Sequence, residues 1–150
     1  MHANAATRGA GTEVPPVNGC FLDRLLLIAA DHGRPAVDAV GRTALAAAHG
    51  VHGDGFALST VLAVAADLKL NAQHARLDWV TLPSVVAHLP ALLIFRDGAT
   101  AILDGLELGG GDGPSQVLLR DEGHGHAPLA LGREDLALFW AGDVIVPHPA

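Results

Sequence analysis

The chain has 150 residues, half of them hydrophobic, with 16 acidic against 9 basic side chains, a formal net charge of −7 and one cysteine. That length supports one domain core without a metal or disulfide, and a single cysteine excludes both an internal disulfide and a paired-cysteine metal site and fits a reducing compartment. Scattered basic residues in an acidic chain exclude nucleic-acid binding and attraction to an anionic membrane surface. No apolar stretch approaches the roughly 18–20 residues of a membrane span.

Residues 1–16 have no apolar core ahead of a cleavage site and read as a flexible lead-in, leaving 17–150 as the domain. Leu22, Leu25, Leu26 and Ala29 share one helical face, which Gly33 and Pro35 terminate. "PAVDAVGRTALAAAHG" predicts a second, alanine-rich helix ending near Gly50, and "VHGDGF" a loop. Ser59 is placed as the N-cap of a third helix, "TVLAVAADLKL", with Leu62, Ala65, Ala66 and Lys69 along one side.

The second half changes character. "NAQHARL" alternates loosely, and two prolines in "WVTLPSVVAHLP" forbid a long regular element. "ALLIFRDGATAILDG" predicts two strands around an Asp97-Gly98 turn, the strongest hairpin signal in the chain. "SQVLLRD" and "APLAL" predict a further strand pair, "REDLALFWAG" a short helix and "DVIVP" a last strand. Helices followed by an antiparallel sheet make an α+β domain.

Cys20 heads the first helix, a position where the N-terminal dipole favours an anion by about 0.3–1 kcal/mol. Histidines are numerous, and His124 and His126 in "DEGHGH" are the close pair. Alternate residues in a glycine-flanked loop make an adventitious binder rather than a built centre, so no metal and no cofactor is expected. His49 and His52 read as loop residues, and His32 as a partner for the first helix's negative end. Phe139 and Trp140 in the last helix, and Trp79, are assigned to core packing, and "GGGDG" at 109–113 to a hairpin loop.

The order of these segments resembles the bacteriocin-processing cysteine peptidases, which are papain-like. It is most similar to the degenerate version at the N-terminus of type I secretion ABC exporters. A cysteine at a helix head is followed by "HGR", then "LSTVLAVAADLKL", "LPALLIFRDG", "LLRD" and "LALFWAGDVIVP". The resemblance implies N-terminal helices packed on an antiparallel sheet. It matches Cys20 to the nucleophile, Thr100 to the position of the histidine base and Asp121 to the aspartate that orients it. Six residues before Cys20, Val14 stands where the family has an oxyanion-hole glutamine, and Phe21 stands where a glycine follows the cysteine. Asp121 reads equally as a turn cap.

Peptide hydrolysis needs a proton delivered to the leaving amine, a task that a threonine hydroxyl cannot perform near neutral pH. His124 or His126 swinging in as a substitute base is the minor alternative. The expectation is therefore not an enzyme but a substrate-recognition domain on the cytoplasmic side of the bacterial inner membrane. As the resemblance implies, it would bind unfolded secreted cargo with calcium-binding repeats, joined to the membrane and ATPase domains of its exporter. The alternative is an active cysteine peptidase that removes double-glycine leader peptides.

Overall fold

The computed structural model describes residues 14–53, 55–109, 113–120 and 129–148. Helix α1 spans Phe21–Asp31, α2 Ala39–His49 and α3 Leu58–Asp67. They precede strand β1 (Gln73–Arg76), a 3-10 helix (Leu82–His88), β2 (Ala91–Phe95) and β3 (Thr100–Leu108). Strands β4 (Pro114–Leu119) and β5 (Leu129–Leu131), helix α4 (Arg133–Ala137) and β6 (Trp140–Val146) complete the order. Six strands form one antiparallel sheet in the order β1-β6-β2-β3-β4-β5.

Both faces of this sheet are covered, because side chains alternate along a strand. Leu92, Ile94, Ile102 and Ile145 face α1 and α3, where they meet Phe21, Leu22, Leu25, Ile28, Val61 and Val64. Each of those large side chains contributes about 1.5–3 kcal/mol on burial. Ala91, Leu93, Leu103, Val144 and Val146 face the other way, onto Leu82, Val85, Leu136 and the two indoles of Trp79 and Trp140. The central strands are therefore apolar runs rather than alternating ones: Ala91 to Ile94 are all buried.

The structure agrees with the α+β expectation and with the hairpin across Asp97-Gly98, where Ala91 pairs with Leu103 and Ile94 with Thr100. Elsewhere it corrects the sequence reading. Helix α2 begins at Ala39, capped by Asp38, whose Oδ1 accepts the Gly41 N–H at 2.8 Å; Gly50 ends it at φ 66°. Helix α3 starts at Leu58, before Ser59, and its N-cap Ala57 has an extended backbone and no side-chain cap. Its buried stripe is Val61, Val64 and Ala65, not the face running through Ala66 to Lys69. Both faces of α3 are apolar enough to bury, so docking onto α1 selects the stripe. Lys69 has left the helix altogether, at φ 64°.

The last predicted helix is cut to five residues, and Trp140 begins β6 instead. Phe139, expected in the core, is 52% exposed. Trp79 is buried as expected, donating its indole N–H to the Pro114 carbonyl at 2.8 Å. His49 is the last residue of α2, not a loop residue, and its Nε2 lies 2.6 Å from Asp67. His32 caps α1, with its Nε2 3.0 Å from the Pro90 carbonyl oxygen.

Candidate active site

Cys20 occupies the N-cap of α1 and is exposed. Two turn hydrogen bonds set the helix head ahead of it: Phe21 N–H donates to the Asn18 carbonyl at 3.1 Å and Leu22 N–H to Gly19 at 3.2 Å. Phe21 is fully buried and meets the Phe56 ring edge-on at 5.8 Å, which anchors the first turn in the core and leaves the Cys20 side facing outward. A glycine here would forfeit that anchor.

A cavity of about 280 Å3 opens at Cys20, lined by Asp23, Arg42, Val51, His52 and neighbouring backbone. Arg42 reaches across from α2 to grip Asp23 with two nitrogens, Nε to Oδ1 at 2.5 Å and Nη2 to Oδ2 at 3.1 Å. Its guanidinium is held above its ordinary range, chiefly by the Asp23 hydrogen bond and charge, with Cys20 adding a smaller attraction against the opposing effect of burial. His52 arrives on the loop after α2. That loop is tied to the segment before Cys20 by an antiparallel bridge, in which Val17 and Phe56 exchange N–H···O bonds of 2.8 Å each.

Thr100 opens β3, 6% exposed, and Ile102, two residues on, belongs to the helix-side core. Its hydroxyl oxygen has no hydrogen-bond partner among the described residues. The Asp97-Gly98 turn that leads into Thr100 docks on the chain just before Cys20, since Asn18 N–H donates to the Gly98 carbonyl at 2.8 Å. The structure thus brings the start of β3 and the head of α1 to one end of the fold. Thr100 is nevertheless absent from the lining of the Cys20 cavity, and the imidazole found there is that of His52.

Val14 is partly buried against the helix-side core and offers no side-chain donor for an oxyanion. Asp121, His124 and His126 lie outside the described residues. Among the described residues no three His, Cys, Asp or Glu side chains come together as metal ligands. No helix among them is long and apolar enough to cross a membrane.

The arrangement places an accessible thiol, an imidazole and a guanidinium around one opening, groups that serve nucleophilic attack, proton transfer and anion attraction. The sequence reading missed His52, Asp23 and Arg42. His52 sits in a glycine-flanked stretch that signals a loop and nothing more. Its approach to Cys20 depends on the bridge between Val17 and Phe56.

No protein-family model and no curated protein matches the chain. Among the solved structures that share its fold are these two. One is the N-terminal peptidase C39-like domain of the toxin secretion ATP-binding protein from Vibrio parahaemolyticus, with a TM-score of 0.59 and 20% identity over 86% of this chain and 96% of that one. The other is a double glycine motif protease from an AMS/PCAT transporter in complex with the leader peptide, with a TM-score of 0.60 and 14% identity over 91% and 100%. The second structure corrects the expectation that the chain is not an enzyme. Its fold, which this chain shares, is that of a protease, so the fold gives no ground for setting the chain apart from enzymes. The chain has the fold of the peptidase C39-like domains.

Proposed function

We propose that this domain, spanning residues 17–150, serves an ABC exporter on the cytoplasmic side of the membrane and receives a segment of the secreted polypeptide at the Cys20 face. The observation that carries the reading is the exposed thiol at the head of α1, opening onto the cavity shared with His52, in a fold also found in a protease solved with its leader peptide. The membrane and ATPase domains of the exporter are its covalent or assembled neighbours. The cargo is an unfolded protein with calcium-binding repeats, the part of this proposal that comes from the family resemblance. An unfolded segment loses ordering entropy when it docks, so its contacts are weak and reversible, as passage onward requires.

A second reading, cleavage of a double-glycine leader, is favoured by the same thiol and by the imidazole of His52 in its cavity. One experiment addresses both. The chain is incubated with a synthetic double-glycine leader peptide while alkylation of Cys20 by iodoacetamide is followed by mass spectrometry. Protection of Cys20 by the peptide supports docking at this face, and an unchanged alkylation rate at saturating peptide overturns it. Release of a fragment cut after the glycine pair, lost in Cys20→Ala and in His52→Ala, establishes turnover. A calcium-repeat segment that shifts backbone amides when calcium-free and not when calcium-folded supports the cargo class.

A further inference from the structure

A cavity of about 290 Å3 lies at the far end of α1 from Cys20. Its walls come from the exit of that helix, the segment leading into β1, the end of the 3-10 helix and the tail after β6. His32, Arg34, His88 and His148 line it, with Leu70 and Pro147 among their apolar neighbours. Three of the chain's nine histidines thus meet one arginine, from three separate stretches of sequence. The tail is pinned there because the His148 N–H donates to the Leu70 carbonyl at 3.3 Å, and its ring meets that of His88 at a centroid distance of 4.6 Å, tilted by 53°.

The polar groups of this cavity are donors without acceptors. The Nε of Arg34 is buried with no hydrogen-bond partner among the described residues, and its guanidinium forms no ion pair there. An unmet buried donor is costly, more so on a charged group. The rings of His88 and His148 likewise make no hydrogen bond among the described residues. His32 Nε2 lies 3.0 Å from the Pro90 carbonyl, which can only accept, so Nε2 carries the proton and Nδ1 is the atom left for a ligand. Among the described residues no carboxylate lines the cavity: Asp31, just before His32, is taken by Arg120. The carbonyls at the end of α1, which would repel an anion, are occupied as well, since Ala29 accepts the Arg34 N–H and Ala30 the Gly33 N–H, both at 3.0 Å.

Three imidazoles alone would suit a transition-metal ion, but the permanent positive charge of Arg34 opposes a cation and favours an anion. A guanidinium offers a planar fork that matches two oxygens of a carboxylate or a phosphate. An imidazole adds one ring N–H, and a second when protonated. Donors arriving from several sides of one small cavity serve a tetrahedral group, whose oxygens point in different directions, better than a flat carboxylate. We propose that Arg34, His88 and His148, with His32 when its ring is protonated, form a binding site for a phosphate group. The site lies at the opposite end of α1 from the thiol and does not depend on the reading made at Cys20.

Imidazole nitrogen shifts report occupancy directly. The full chain, labelled with 15N at its histidine rings, is titrated by NMR with inorganic phosphate and, at matched ionic strength, with chloride and with succinate. A parallel arm adds phosphatidic acid vesicles, with phosphatidylcholine vesicles as control. The expected result is a saturable shift of the His88 and His148 rings with phosphate, absent with chloride, and weakened tenfold or more in Arg34→Gln. His148→Gln is the second variant, and an unchanged circular dichroism spectrum establishes that each is folded. Saturation by inorganic phosphate upholds the site and assigns it to a free phosphate. The same Arg34-dependent shifts with phosphatidic acid vesicles alone uphold it and assign it to a lipid headgroup. No saturable shift in either arm overturns the inference, as does binding indifferent to Arg34→Gln. Succinate binding as tightly as phosphate, or shifts of these rings with zinc chloride and none with phosphate, overturns it too.

Discussion

The N–H of Asn18 donates to the carbonyl of Gly98 at 2.8 Å, joining the segment that ends at Cys20 to the turn that begins at Asp97. Gly98 has φ +90°, and a Cβ there would sit 2.3 Å from the Pro16 carbonyl oxygen. Only glycine permits this approach. The head of α1 and the start of β3 are held together because that turn carries no side chain at its closest point.

Gly98→Ala is expected to lower stability by about 2–4 kcal/mol through the left-handed backbone and the clash. Gly53 is the control. It has φ +85° with nothing within 4 Å of its would-be Cβ. Gly53→Ala therefore carries backbone strain alone, about 1–2 kcal/mol. Urea unfolding of the two variants measures the difference, and equal losses would show that the contact with Pro16 contributes nothing.

Thr100 carries a buried hydroxyl with no partner among the described residues. Replacing it by the isosteric valine is expected to raise stability by about 1–2 kcal/mol, since an unsatisfied buried donor costs that much. Any leader cleavage by the chain should survive Thr100→Val, because the hydroxyl is no base. A loss of stability on denaturant unfolding would mean that the hydroxyl is satisfied in solution.

Asp143 is 1% exposed in β6, 2.9 Å from His74 Nε2 and 3.8 Å from Arg76 Nη1 on the neighbouring strand β1. Both partners keep access to water, so removing the carboxylate strands neither in an apolar interior. Asp143→Ala is expected to destabilise by about 1.5–3 kcal/mol, the range for hydrogen bonds to charged groups. In a double-mutant cycle with His74→Ala the two losses should not add; additivity would mean that the pair is not coupled.

Asp78 opens the turn into the 3-10 helix and is held below the ordinary carboxylate range by the Thr81 N–H first and the Thr81 hydroxyl second. With its folded pKa depressed, Asp78 adds stability above its unfolded pKa of about 3.9, and that contribution is lost as pH falls through the lower folded value. Thr81→Val keeps the N–H and removes the hydroxyl. The Asp78 carboxyl carbon, followed by NMR through acid titration, should then titrate at a higher pH than in the unsubstituted chain and still below 3.9.

What the sequence determined by itself is local. Helix α1 is set by the spacing of its leucines and by Gly33, which takes φ +80°, and the β2–β3 hairpin by Asp97-Gly98, because periodicity and turn chemistry act between residues a few positions apart. The segment order from Cys20 to Val146 was likewise enough to indicate the shared fold. Tertiary structure decided the rest. It chose Val61 and Val64 over Ala66 as the buried stripe of α3, drew Trp140 out of a helix into β6, and left Phe139 at the surface. It also carried His52 to the opening at Cys20 and gathered three histidines and Arg34 around one cavity. Those placements depend on contacts between residues far apart in the chain, where an apolar or charged side chain carries no mark of its eventual neighbour, and only the packing of helices and sheet selects one partner from many.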